Sequence, residues 1–277
     1  MKIDLVDVFA NGTLSGNPLA VVHGGAELGT ARMQKLAAWI GFSETSFLLP
    51  PTVSDADYHV RIFTPTTELP FAGHPTLGAA FAWCAAHGLP AHNRVIVQEC
   101  GVGLVPVRIA GARLAFRAPP LIRQGALTSD ELAEALAILQ LDSGAVIDAV
   151  HVDNGPPWKL IRLASAEAVL AVQTVARAEV GVDIGVIGPS DAAGIDWEVR
   201  AFFSKQGGAL VEDPVTGSFN AGVAQYLFGE RLVSGDYVAA QGRCVGADGR
   251  VYVSRDDHGI WIGGDVRMVA AGAVLTG

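Results

Sequence analysis

The sequence predicts a mixed α/β (α+β) protein made of two related halves, and three observations lead to that class. Short apolar runs bounded by Gly, Pro and Asn alternate with a few helical stretches from end to end, as in proteins that combine sheets with helices. The 277 residues exceed the usual size of one domain, so two lobes of ~140 residues are expected. Two segments also recur at one common offset: GNPLAVV at 16–22 is similar to GPPWKLI at 155–161, and GHPTLGAAF at 73–81 to EDPVTGSFN at 212–220. The turn-rich stretch APPLIRQGAL, 118–127, marks the boundary. It divides an N-terminal lobe, 1–118, from a C-terminal lobe, 119–277, part of whose last strands can return to the first.

Strands are expected at Lys2–Val8, Leu19–Val22, Phe47–Leu49, Tyr58–Phe63, Val95–Gln98, Leu104–Ile109 and Leu114–Phe116, where polar and apolar residues often alternate. TARMQKLAAWI, 30–40, puts Met33, Leu36, Ala37 and Ile40 at helical spacing, with Thr30 as cap and Gly41 as stop. TSDELAEALAIL, 128–139, opens with Thr128 and Glu131 in capping-box spacing and repeats Leu132, Leu136 and Leu139 on one face.

Half the residues are hydrophobic and the mean hydropathy is +0.36, yet no run of about 18 apolar residues occurs, so a soluble protein without a membrane span is expected. The helical stretches carry few Lys or Arg on their polar faces, which argues against a membrane-surface role. The formal net charge of −9, with basic residues scattered singly, argues against nucleic acid as a partner. Cys84, Cys100 and Cys244 are odd in number and lack zinc spacing, and residues 1–15 do not resemble a signal peptide; a reduced, cytoplasmic protein is expected.

Three segments carry chemistry. IFTPTTELPFAGHPTLGAAFAWCAA, 62–86, passes from a strand through a loop into a helix whose Leu77, Ala80, Phe81 and Cys84 share one side. Gly73 and His74 precede Pro75, a residue favoured at the first helical position, so His74 is expected at the mouth of that helix. In the second half Asp213 precedes Pro214, and Gly217 and Ser218 precede Val223, Ala224 and Leu227, so a second helix is expected where Asp213 can cap it. Paired by the repeat, the two openings are expected to face one cleft and offer free N–H groups to a small anion. Glu44, in GFSETS, lies beside apolar flanks, where partial desolvation is expected to raise its pKa and make it a proton carrier.

Each residue alone has a plainer explanation: His74 as a cap, Asp213 as a cap, Glu44 as a solvated loop carboxylate. Their combination lifts the argument. RIFTPTTELPFAGHPTLGAAFA, SETSF and EDPVTGS together resemble the PhzF-like family of phenazine biosynthesis proteins, within the diaminopimelate epimerase fold superfamily, and the resemblance spans nearly the whole chain. It implies two pseudo-symmetric lobes, each a curved, mostly antiparallel sheet wrapped around a central helix, and cofactor-free acid/base chemistry without metal. It further implies that Glu44 shuttles the proton, that His74 and Asp213 orient and polarise the substrate, and that Ser218 with the Gly73 and Gly217 amides binds it. The reaction so implied is similar to isomerisation of trans-2,3-dihydro-3-hydroxyanthranilate, in an enzyme that is often a homodimer. Superfamily epimerases use two facing cysteines, whereas the corresponding positions here are glycine-rich. Phe219-Asn220 departs from the family motif and is expected to reshape the pocket.

Two alternatives stay open: an epimerase or racemase of an amino-acid-like substrate, and a non-catalytic small-molecule binding protein. Other signals are set aside. Gly101-Val102-Gly103 meets Pro106 where a dinucleotide fingerprint needs glycine, His87 and His92 are read as loop histidines, and Asp256-Asp257-His258-Gly259 as a hairpin turn. No G-x-S-x-G element of hydrolases occurs.

Overall fold

The structure is a computed structural model and describes residues 1–89, 94–110 and 113–274. The chain divides into two compact units: Met1–Arg117 together with the chain from Gly263 onward, and Ala118–Ile262.

In the first unit β1 (Lys2–Val8) pairs antiparallel with β2 (Asn17–His23), and β3 (Thr45–Leu49) runs parallel to β2. Next, β4 (Tyr58–Phe63) lies antiparallel to β3, with the short β5 (Glu68–Leu69) on one part of it and β6 (Val95–Cys100) parallel to it on another. The sheet continues antiparallel through β7 (Gly103–Ala110) and β8 (Arg113–Arg117).

Two helices cover opposite faces. Met33 and Ala37 of α1 (Thr30–Ile40) pack on Val22, Leu28, Phe47 and Phe63, while Trp39 is 82% exposed. The helix starts at Thr30, so the cap is Gly29 rather than Thr30, and it stops at Gly41, whose φ of 77° suits glycine. The other helix, α2 (Gly73–His87), is buried on every side through its first two turns, which only small side chains such as Gly78, Ala79, Ala80 and Ala82 permit.

The second unit holds β9 (Arg123–Ala126), α3 (Ser129–Leu139), β10 (Asp148–Asp153), β11 (Lys159–Arg162), α4 (Ala166–Ala171), β12 (Asp183–Pro189), β13 (Trp197–Ser204), β14 (Leu210–Asp213), α5 (Gly217–Gly229), β15 (Tyr237–Gln241) and β16 (Gly249–Asp256). Thr128 and Glu131 form the expected capping box of α3. The boundary stretch is not all turn, since β9 pairs with β10 there. A final strand, β17 (Gly259–Val274), follows the hairpin turn at Asp256–Gly259 and passes from the second unit into the first at Gly263. In the first unit it pairs antiparallel with β1, and β8 also pairs with β17, so that sheet closes around α2.

The two units repeat one topology. Pairings β1–β2, β2–β3, β3–β4, β4–β5 and β4–β6 have counterparts β10–β11, β11–β12, β12–β13, β13–β14 and β13–β15 with the same directions. Ala20 pairs with Thr45 and Thr45 with Phe63; Lys159 pairs with Ile184 and Ile184 with Phe202, so the offset seen in the sequence holds through these strands. The match of 73–81 to 212–220 at that offset does not survive. Leu69 pairs with Ile62 as Asp213 does with Ala201, and the central helices begin at Gly73 and Gly217, farther apart along the chain than the strands that match.

A steric fingerprint confirms the new alignment, because Gly78 and Gly222 hold the same place in their helices. A Cβ on Gly78 would lie 2.4 Å from Leu19 Cδ2 and 3.0 Å from Val6 Cγ2; a Cβ on Gly222 would lie 2.7 Å from the Val152 carbonyl oxygen. Each central helix thus lies directly against equivalent strands of its own sheet, α2 on β1 and β2 and α5 on β10.

Candidate functional site

In the first unit the turn from Gly41 to Glu44 links α1 to β3, and residues two apart on a strand share a face. Phe47 points to α1, so Glu44 and Ser46 point to α2. The Ser43 hydroxyl donates to Asn17 Oδ1 at 3.5 Å, tethering this turn to β2. Glu44 Oε2 lies 3.4 Å from His74 Nε2, and both atoms are sealed from solvent.

His74 is the second residue of α2, which begins at Gly73 after Ala72; Pro75 is therefore third, not first. In this first turn the Gly73 and His74 amides have no intrahelical acceptor, and Pro75 has no N–H to spare. Burial pushes the imidazole pKa down to about 3. The ring is neutral near neutrality, so its contact with Glu44 is one between a carboxyl group and a neutral imidazole rather than an ion pair. A neutral ring here can donate or accept a hydrogen bond without creating a buried cation.

In the second unit Asp213 ends β14 and does not open the helix: Thr216 is the residue before α5. The cause is the intervening Pro214-Val215-Thr216, with Val215 fully buried. The Thr216 hydroxyl donates to Asp213 Oδ2 at 2.6 Å and accepts from Gln241 Nε2 at 3.0 Å. Gln241 also donates to the Asp213 carbonyl at 3.2 Å and accepts from the Thr216 amide and Asn220 Nδ2. Asp213 is thereby locked to β15 through a buried glutamine. The first unit has a parallel lock, Gln98 donating to Thr76 of α2 at 3.0 Å.

Gly217 and Ser218 form the first turn of α5. The Ser218 hydroxyl oxygen accepts from Trp158 Nε1 at 3.0 Å, and its carbonyl accepts from Asn154 Nδ2 at 2.8 Å. Tryptophan can only donate, so the serine hydrogen remains available for another acceptor. Phe219 and Asn220, expected to reshape the pocket, turn into the core instead: the Phe219 ring rests on Gly185 and Trp158, and both residues are almost fully buried.

The sequence reading missed Trp158, Asn154 and Gln241. Trp158 lies in the very segment, GPPWKLI, that signals the repeat. Cys244 belongs to a short 3₁₀ turn, Arg243–Val245, and His92 lies outside the described residues. No group of three or more His, Cys, Asp or Glu among the described residues is placed to hold a metal, and no described helix is long and apolar enough to cross a membrane. A pocket of about 390 Å³ in the first unit is lined by His59, Arg61, Glu68 and Cys100 but by neither Glu44 nor His74; Arg61 and Glu68 in its wall form an ion pair.

The family model described as phenazine biosynthesis-like protein matches residues 6–271. Antisense-enhancing sequence 1 of Schizosaccharomyces pombe is 35% identical over 80% of this chain and 78% of its own length. The trans-2,3-dihydro-3-hydroxyanthranilate isomerase of Pseudomonas fluorescens is also 35% identical, over 80% of this chain and 78% of its own. A crystal structure from Enterococcus faecalis, described as a phenazine biosynthesis protein of the PhzF family, aligns over 99% of this chain and 100% of its own with a TM-score of 0.79 at 26% identity.

Proposed function

The chain belongs to the phenazine biosynthesis-like protein family and is an isomerase, and from that premise we propose that it moves a proton within a small cyclic or amino carboxylic acid without a cofactor. The observation that carries this reading is the sealed contact of Glu44 with a neutral His74.

Glu44 as carboxylate takes a proton from carbon, the bonding pair enters the substrate's conjugated system, and the carboxylic acid so formed returns a proton to another carbon. His74, kept neutral, donates its ring N–H to a substrate oxygen and holds the substrate against Glu44. Asp213, fixed by Thr216, orients a substrate donor. The Gly73 and Gly217 amides and the Ser218 hydroxyl bind the carboxylate, as helix openings favour anions.

The test is turnover of trans-2,3-dihydro-3-hydroxyanthranilate and of related amino acids in deuterated water. A shifted double bond supports the isomerase; deuterium at an inverted stereocentre would instead make the chain an epimerase. His74→Ala and Asp213→Ala should raise KM, and a bound carboxylate at 100 times its Kd should add about 2.7 kcal/mol of stability. Inertness toward all these acids with a thermal shift would leave a binding protein; inertness without one would remove the reading altogether.

A further inference from the structure

The pocket of the first unit occupies a place that the second unit fills with its own chain. Strand register equates His59 and Arg61 of β4 with Glu198 and Arg200 of β13, since Leu49 and Phe47 face the first two as Gly188 and Val186 face the others. Leu69 faces Ile62 as Asp213 faces Ala201, so Pro70 corresponds to Pro214. Tyr58 faces Gln98 as Trp197 faces Ala239, so Gly101 corresponds to Gly242. Sterics agree: a Cβ on Gly101 would lie 2.7 Å from Pro70 Cα, and one on Gly242 would lie 2.4 Å from the Pro214 carbonyl oxygen.

The two arginines hold equivalent partners, Arg61 donating to Glu68 and Arg200 to Glu212 through two nitrogens each. Their surroundings differ. After Gly242 the chain forms the turn Arg243–Val245, where the Arg243 guanidinium covers the fully buried Glu198 and the Cys244 thiol donates to the Leu170 carbonyl at 3.8 Å. The end of α4 sets the Val169 and Val172 carbonyls 3.2 and 2.7 Å from Arg200 Nη1. In the first unit Gly101 and Val102 alone connect β6 to β7, and the cavity of about 390 Å³ lies beside them, walled by His59, Arg61, Leu69, Pro70 and Cys100. Arg61 and Glu68 are accordingly 22% and 37% exposed at their side chains, against 8% and 7% for Arg200 and Glu212. Arg61 Nη2 also reaches Thr30 Oγ1 at 3.0 Å, but Nη1 has no acceptor among the described residues, and neither ring nitrogen of His59 has a hydrogen-bond partner among them.

We propose that this cavity is a second ligand site that takes a small neutral amide, its carbonyl accepting from Arg61 Nη1, its N–H meeting His59 and its apolar body resting on Leu69, Pro70 and Cys100. The second unit indicates the class, because there the matching guanidinium receives uncharged carbonyl oxygens. Hydrogen bonds from Arg61 hold Glu68 below the ordinary carboxylate range, so the pair already balances its own charge and a carboxylate ligand would meet an ionised Glu68. The volume is that of a small-molecule pocket. Neither Glu44 nor His74 lines it, so the inference stands apart from the function proposed above.

The experiment titrates the protein with benzamide and, separately, with benzoate, following N–H signals in a two-dimensional spectrum of wild type and Arg61→Lys. Lysine keeps a cation for Glu68 and lacks the second arm of the guanidinium fork. Expected are benzamide shifts centred on Leu69, Gly101 and the Arg61 Nε–H with a Kd of ~1 mM. Benzoate should bind there roughly tenfold more weakly, and Arg61→Lys should lose roughly tenfold in benzamide affinity. The inference is overturned by benzamide that leaves these signals unmoved, by an Arg61→Lys protein that binds it as wild type does, or by benzoate that moves the same signals equally well. Benzoate shifts at Gly73 or Gly217 report on the function proposed above, so the two readings fail separately. Should Arg61→Lys fail to fold, the wild-type titrations alone decide.

Discussion

The openings of α2 and α5 are built on one plan and filled with different chemistry. Each begins with glycine, each is held by a buried glutamine from the strand that follows, and each lies against equivalent strands, β1 and β10, through a glycine in its second turn. At the second helical position, however, α2 carries a titratable His74 sealed against Glu44, whereas α5 carries a non-titrating Ser218 held by Trp158. The plan leaves amide groups without an intrahelical acceptor at both openings; in the proposed function the side chains then divide the labour, proton handling at one and hydrogen-bond donation at the other.

The sharpest way to break that division is Glu44→Gln, which should lower kcat by ~10² or more with an unchanged unfolding transition. An equally active variant would place proton handling elsewhere.

A smaller effect tests the shared plan. Gly222→Ala drives a methyl into the Val152 backbone and should cost about 1–3 kcal/mol in denaturant unfolding, while Gly78→Ala meets a movable Leu19 methyl and should cost less. The reverse order would mean that the two helices are not seated alike.

His74 supplies a pH signature that Ser218 lacks. Its pKa falls from an ordinary value near 6.5 to about 3 on folding, so the unfolded chain binds a proton that the folded chain refuses between those limits. Its stabilising contribution is complete above about pH 6.5 and falls as pH drops toward 3, by about 1.4 kcal/mol per pH unit. His74→Gln should flatten unfolding free energy against pH by that slope; an unaltered slope would show the ring is charged when folded.

Smallest is Trp158→Phe, which keeps the ring and removes the donor to Ser218. A loss of about 1 kcal/mol in carboxylate affinity, roughly fivefold in Kd by titration, is expected, with kcat little changed.

Much of this is legible in the sequence, and the failures have physical causes. Alternation and helical periodicity locate α1, α3 and most strands of the first unit, because each has one face on a core and one on solvent. The repeat is visible at 16–22 because a strand start with proline tolerates little change. It misleads at 73–81 because the hairpin of β13 and β14 is longer than that of β4 and β5, strands and loop together, which ungapped matching by eye cannot follow. This displaces the opening of α5 from Gly217 to Asp213 and aligns His74 with Asp213, although the strand pairings and helix starts align it with Ser218. Glu44 and His74 can be named from their motifs, but their mutual contact cannot, since it joins the loop before β3 to the start of α2, with three strands in between. Trp158 gives no signal beyond an apolar residue in a strand, because its role depends on which way one N–H points.

The path of β17 bears on how the protein is made. The second unit is one continuous stretch of chain, Ala118–Ile262, whereas the first lacks the strand that pairs with β1 until residues from Gly263 onward have been synthesised. During translation, then, the segment that leaves the ribosome first must wait with an open strand edge while the middle of the chain completes itself, and a gene fragment ending at Arg117 should give an aggregating product rather than a free-standing module.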